Sequence, residues 1–246
     1  MTFLLSSWDT LLRWLGRLGR HELPLLLAMT ALAGGTWAFL ELAGEVLDGG
    51  TLDFDARLLL ALRNPADLSD PLGPGWLEEM GRDVTALGGT GVLVLLGASV
   101  TGYLLLSGHH RTALFTVIAL TGGWLLSSLL KLGFDRPRPD LVPHGSIVYT
   151  ASFPSGHSMM AAVTYLTLAI ILARAQPHHR LKAYLLLIAI LLTVLVGMSR
   201  VYLGVHWPSD VLAGWTAGAA WASLCWLAAR ALQRHGRIEK DPAAGD

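Results

Sequence analysis

"ASFPSGHSMMAAVTYLTLAIILA", residues 151–173, decides the fold. Its second half, from Ser158 to Ala173, holds no charged residue and is rich in Ala, Leu, Ile and Met, the composition of a helix that sits in lipid. Its first half sets Pro154, Ser155, Gly156 and His157 side by side. A turn explains the first three of these and leaves the histidine unexplained.

Working outward, five further runs lack Asp, Glu, Lys and Arg: between Glu22 and Glu41, Asp83 and Arg111, Arg111 and Lys131, Lys182 and Arg200, and Asp210 and Arg230. A bilayer core about 30 Å thick needs about 20 helical residues, so each run fits or nearly fits one crossing. With 53% apolar and 15% charged residues, the chain reads as an integral membrane protein of six transmembrane helices. The first run is expected to stay as a helix rather than be cleaved, because Glu22 and Pro24 open it and no small-residue cleavage pattern closes it. Cys225 stands alone in the last run, so no intramolecular disulfide forms; it reads as a small buried hydrophobe.

Residues 1–20 place Leu4, Trp8, Leu11, Leu12, Leu15 and Leu18 at helical spacing with Arg13, Arg17 and Arg20 toward the other side, which predicts an interfacial amphipathic helix rather than a solvated arm. Orientation follows from the basic residues. Cytoplasmic termini put eleven of the eighteen Lys and Arg inside, and residues 44–83, with nine acidic and three basic residues, become an extracytoplasmic loop. Within it "FDARLLLALRN" predicts a short amphipathic helix on the outer membrane surface. Residues 233–246 read as a frayed cytoplasmic tail. The expected fold is therefore all-α and a single domain over 1–246, in a bacterial inner membrane with its polar cluster outside.

That cluster comes from three stretches at the same membrane face: "KLGFDRPRP" (131–139), "PSGH" (154–157) and "SRVYLGVHWPSD" (199–210). An anchoring excess of cations belongs on the cytoplasmic side, so Lys131, Arg136, Arg138 and Arg200 on the translocated side need another reason. Cations beside two histidines and a carboxylate suit a phosphate, which Arg grips bidentately and Lys as a point charge. Ser155 suits a helix N-cap, and Gly156 leaves the backbone amides of that helix start open to an anion. His206 and Asp210 are four apart around Pro208, so the carboxylate can fix the imidazole tautomer and free the other nitrogen to attack phosphorus. His157, from another helix, is left to protonate the departing oxygen.

These stretches match the patterns KxxxxxxRP (Lys131, Arg138, Pro139), PSGH (Pro154–His157) and SRxxxxxHxxxD (Ser199, Arg200, His206, Asp210) in order. Over residues 131–210 the chain thereby resembles the type 2 phosphatidic acid phosphatase family, lipid phosphate phosphatases related to vanadium haloperoxidases. The resemblance implies His206 as nucleophile, Asp210 as its partner, His157 as acid, and Lys131, Arg138, Ser155, Gly156 and Arg200 as phosphate ligands, with Ser199 in the motif. Arg136 falls outside the pattern and reads either as an auxiliary headgroup contact or as a solvated loop residue. His144 and the five histidines at the cytoplasmic turns and tail read as loop residues, and Trp207, Trp215, Trp221 and Trp226 as packing or interfacial belt. Asp135 and Asp140 with His157 could suggest a metal cluster, but the surrounding Arg and Lys would repel a divalent cation, so no metal and no cofactor are expected. The expected partners are a lipid phosphate and the bilayer, not nucleic acid. An anion transporter or channel would place charges at mid-membrane depth, where the six runs hold none. A vanadate peroxidase would need a soluble helical body.

Overall fold

The computed structural model describes residues 2–144, 150–174 and 176–239, with side chains from residue 22 onward. The helices are α1 (Thr2–Leu47), α2 (Leu52–Leu60), α3 (Gly75–Ala86), α4 (Thr90–Leu106), α5 (His110–Gly133), α6 (Gly156–Arg174), α7 (His179–Tyr202) and α8 (Pro208–Arg234). Among the described residues five helices are long and apolar enough to cross a membrane, α1 through its Glu22–Leu47 part. Counted as one broken span, the bent pair α3–α4 brings the number to six. The side chains of the interfacial helix expected over 1–20 lie outside the described residues.

α6 is the central helix. It packs against α4, α5, α7 and α8, and 61% of its apolar stretch is buried, against 6–44% in the other four long spans. In lipid, water does not drive helices together, so close packing needs small residues at the contact. Gly214 and Gly218 of α8 meet that need. A Cβ on Gly218 would lie 2.5 Å from the Ala162 Cβ and 2.8 Å from the Met159 carbonyl oxygen, and one on Gly214 would lie 2.7 Å from the Ser155 carbonyl oxygen. α1 covers the far side of α8. From α1, Phe39 stacks on the fully buried Phe153, which also meets Phe134 edge-on at 4.8 Å. Those rings tie both ends of the loop between α5 and α6 to the bundle.

Several expectations are corrected. The span read from Asp83 to Arg111 is broken: α3 and α4 meet at 48° around Gly88 and Gly89. Tyr165 Oη donates to the Leu87 carbonyl at 2.8 Å, satisfying a group that the break withdraws from the helical ladder. The segment 44–83 is not a plain loop, since α3 begins at Gly75. α2 forms two residues earlier than expected, and it does not rest on the membrane surface alone: Asp55 and Leu59 are fully buried beneath it. A short antiparallel hairpin follows, β1 (Arg63–Asn64) with β2 (Asp67–Pro71), a small addition to the expected all-α fold. Arg63 is buried there and donates to the Tyr202 carbonyl at 2.8 Å, bracing the exit of α7.

The tail also differs from a frayed end. Ile238 is buried, and the Glu239 carboxylate accepts from the Arg111 and Thr112 amides, each at 3.0 Å, and from the Thr112 hydroxyl at 2.8 Å. Glu239 thus caps the first turn of α5 from a distant part of the chain. Residues 240–246 lie outside the described residues.

Candidate active site

Helix ends set the site. The last turn of α5 brings Lys131, the first turn of α6 brings His157, the last turn of α7 brings Arg200, and the α7–α8 turn brings His206. Gly204 in that turn has φ of 72°, a left-handed conformation that glycine adopts without strain. Pro208 occupies the first position of α8, where its missing N–H costs nothing.

His206 is 1% exposed, and its Nδ1 lies 3.2 Å from Asp210 Oδ2. Its Nε2 lies 3.1 Å from Arg138 Nη1. A guanidinium can only donate, so Nε2 is the acceptor and the proton sits on Nδ1, facing Asp210. Burial pushes the imidazole down to about 4, against the opposing pull of the Asp210 hydrogen bond. The ring is therefore neutral near pH 7, with its lone pair on Nε2.

Asp210 is fully buried and saturated with donors. Oδ2 accepts from the Trp207 amide at 2.9 Å, from His206 and from the Ser152 hydroxyl, while Oδ1 accepts from Arg136 Nη1 at 2.7 Å. Arg138 is fixed by the Val205 carbonyl at 2.6 Å and the Thr150 carbonyl at 2.9 Å. Lys131 Nζ donates to the Ala151 carbonyl at 2.8 Å, and a Cβ on Gly156 would lie 3.2 Å from the Lys131 Cε. The glycine thus makes room for the lysine stem over the start of α6. Arg200 is 2% exposed; its Nη1 donates to Thr85 Oγ1 at 3.0 Å, and its Nε is buried with no hydrogen-bond partner among the described residues.

These groups form the polar end of a cavity of about 1070 Å³, lined there by Lys131, Arg138, Gly156, His157, Arg200 and His206. The cavity continues between α4 and α5 past Leu93, Val94, Leu105, Leu120 and Trp124. Ser155 and Ser199 do not line it. Ser155 Oγ takes the Ser158 hydroxyl at 2.9 Å and the Ser158 amide at 3.5 Å, the N-cap geometry expected for α6, and Ser199 Oγ donates back to the Val196 carbonyl at 2.7 Å. Both hydroxyls bond within the scaffold in this structure.

Arg136 is neither a headgroup contact nor solvated. Its side chain is 8% exposed and bridges Asp55 and Asp210, 2.7 Å to each. His144 meets the Pro139 carbonyl at 2.7 Å and stays a loop residue. Trp207, Trp215 and Trp221 pack inward, each indole donating to a carbonyl at 2.9–3.1 Å. Sequence reasoning missed Asp55, Ser152 and Thr85. All three lie outside the matched patterns, and nothing local marks them as partners of Arg136, Asp210 and Arg200.

Known proteins resemble this chain in sequence and in fold. The chain is 38% identical over 154 residues to phosphatidylglycerophosphatase B of Bacillus subtilis, covering 58% of this chain and 70% of that protein. It is 30% identical over 199 residues to a lipid A 1-phosphatase of Rhizobium etli, covering 71% and 79%. Its fold is similar to the crystal structure of the PAP2-type phosphatidylglycerolphosphate phosphatase of Bacillus subtilis, with a TM-score of 0.72 and 29% identity over 83% of this chain and 98% of the other. The family model described as the PAP2 superfamily matches residues 90–234, which hold Lys131, Arg138, His157, Arg200, His206 and Asp210, and the chain belongs to that superfamily.

Proposed function

We propose that this membrane lipid phosphatase removes a phosphate from a lipid phosphomonoester or diphosphate by way of a phosphohistidine on His206. The observation that carries the reading is the Nε2 of His206, bare of its proton and held beside Arg138, at the polar end of a cavity whose other walls are mostly apolar. Phosphate oxygens would lie among Lys131, Arg138, Arg200 and the amides at the start of α6, and the tail would follow the groove between α4 and α5. Nε2 attacks phosphorus as the P–O bond to the leaving group breaks. His157 gives its proton to the departing oxygen, then takes one from the water that cleaves the N–P bond and returns His206 to its starting state. Asp210 holds the ring in its tautomer throughout.

The names of the relatives make phosphatidylglycerophosphate and lipid A 1-phosphate the first substrates to try, with undecaprenyl diphosphate and phosphatidic acid beside them. The basic-residue asymmetry supports a site on the extracytoplasmic face of a bacterial inner membrane. The test is release of inorganic phosphate from that panel by purified protein in detergent, with and without excess chelator. Release from at least one lipid, undiminished by chelator, is expected, because the cations in the wall already oppose the phosphate charge. No release from any of the four overturns the reading.

A further inference from the structure

On α2, Asp53 and Arg57 share an exposed face and pair at 3.7 Å, while Asp55 turns the other way and is fully buried. Its Oδ1 accepts the Ser209 amide at 2.8 Å, as an N-terminal cap for α8 supplied from another element. A cap needs one oxygen. The other, Oδ2, accepts the Ser209 hydroxyl at 2.6 Å and Arg136 Nη2 at 2.7 Å, and the second arm of the same guanidinium ends on Asp210 Oδ1. Two buried carboxylates therefore share one cation, leaving one negative charge in surplus, and the face open to it is His206 Nδ1 at Asp210 Oδ2. Arg138, Arg200 and Lys131 stand on the opposite, cavity side of the ring.

We infer that Asp55 and Arg136 are positioning residues that preserve the full charge of Asp210 for the phosphorylated imidazolium. When Nε2 bonds to phosphorus, the ring becomes cationic while its Asp210 side is buried, where an opposite charge counts for more than in water. Without Asp55, Arg136 would neutralise Asp210 alone and the cation would lose its counter-charge. The inference rests on His206 being the attacking group. Asp55 lies outside residues 90–234, the part matched by the family model.

The experiment compares Asp55→Asn with Asp55→Asn/Arg136→Gln. Phosphate release from the best lipid of the panel gives kcat and KM, and the affinity for orthovanadate, an anion that adopts the geometry of phosphoryl transfer, gives a reading that needs no lipid. Asp55→Asn is expected to lower kcat and vanadate affinity by at least about tenfold, the scale of one charged hydrogen bond, with KM changed less than about twofold. The double variant restores the charge surplus and is expected to regain part of both. A structural role alone predicts the reverse order, since the double variant has lost more contacts. Asp55→Glu, which keeps the charge, covers the case in which the Asp55→Asn protein does not fold and is expected to stay within about threefold of the parent kcat. Parent-like behaviour of Asp55→Asn, a double variant slower than the single one, or Asp55→Glu as slow as Asp55→Asn overturns the inference. A parent protein that hydrolyses none of the lipids overturns the phosphatase reading instead, and vanadate then decides this one.

Discussion

Arg138 Nη1 sits 3.1 Å from His206 Nε2, so on the proposed mechanism the group that binds the phosphate also marks the lone pair that attacks it. Two carbonyls hold the guanidinium in that place, and the flexible ammonium of a lysine has no planar fork to fill both roles. Arg138→Lys is expected to cut kcat about 100-fold or more, the usual loss for one donor aimed at developing charge. Phosphate-release kinetics on protein that still elutes as a single species check it; a loss under about tenfold contradicts it.

The contact between α6 and α8 yields a stability prediction. Gly218→Val drives a side chain into the Ala162 Cβ and the Met159 backbone, neither of which can rotate away. Overpacking of this kind costs about 1–3 kcal/mol. Thermal unfolding in detergent should show the loss, together with reduced activity, because the start of α6 carries His157.

How much of this is legible depends on how local each signal is. Uncharged runs and the spacings around Lys131, His157 and His206 lie within short stretches, so the spans and the candidate reacting residues can be read directly. The bend at Gly88 and Gly89 hides inside an uncharged run, and α3 reads as loop because Glu78, Glu79 and Arg82 mark it as polar, although those charges pair with one another along its outer face. Asp55 and Arg136 are illegible for a different reason: Asp55 finds its partners 81 and 154 positions away, and a buried ion pair leaves no periodic trace. Arg136, next to Pro137, looks like any loop cation.

Glu239 makes stability depend on pH. Partial burial opposes its charge, yet the hydrogen bonds at the start of α5 outweigh this and hold its carboxyl down to about 2 from an ordinary 4.5. A depressed carboxyl stabilises the fold above its unfolded value and loses that contribution as pH falls toward the folded one. Solvent screens a carboxylate this close to the surface, so the scale is that of a helix cap rather than of the full shift. Glu239→Gln should therefore unfold at lower temperature than the parent at pH 7, by about 1 kcal/mol. The gap between the two should narrow as pH falls below 4.5. A gap that widens in acid contradicts the assignment.

Topology can be tested in whole cells after Cys225 is replaced. Asp67→Cys on the hairpin is expected to react with a membrane-impermeant maleimide in intact cells. Gln176→Cys, between α6 and α7, should react only after permeabilisation. The opposite pattern would move the site to the cytoplasmic face.

The two histidines are expected to fail in different ways. In the proposed mechanism His206 forms the bond to phosphorus, so His206→Ala removes the covalent route for every substrate, and a better leaving group cannot restore it. His157 lies half-buried in the cavity wall, and as the proton donor of the proposed mechanism it matters most where the leaving oxygen is a poor one. General-acid assistance is worth about 100- to 10,000-fold, so His157→Ala should be slow on a glycerol ester by that order and much closer to the parent on a nitrophenyl phosphate. With the parent and a radiolabelled substrate, rapid quenching should trap an acid-labile, base-stable phosphohistidine, and the His206→Ala protein should give none. Label trapped without His206, or equal losses by both variants on both esters, would show that the roles have been assigned to the wrong rings.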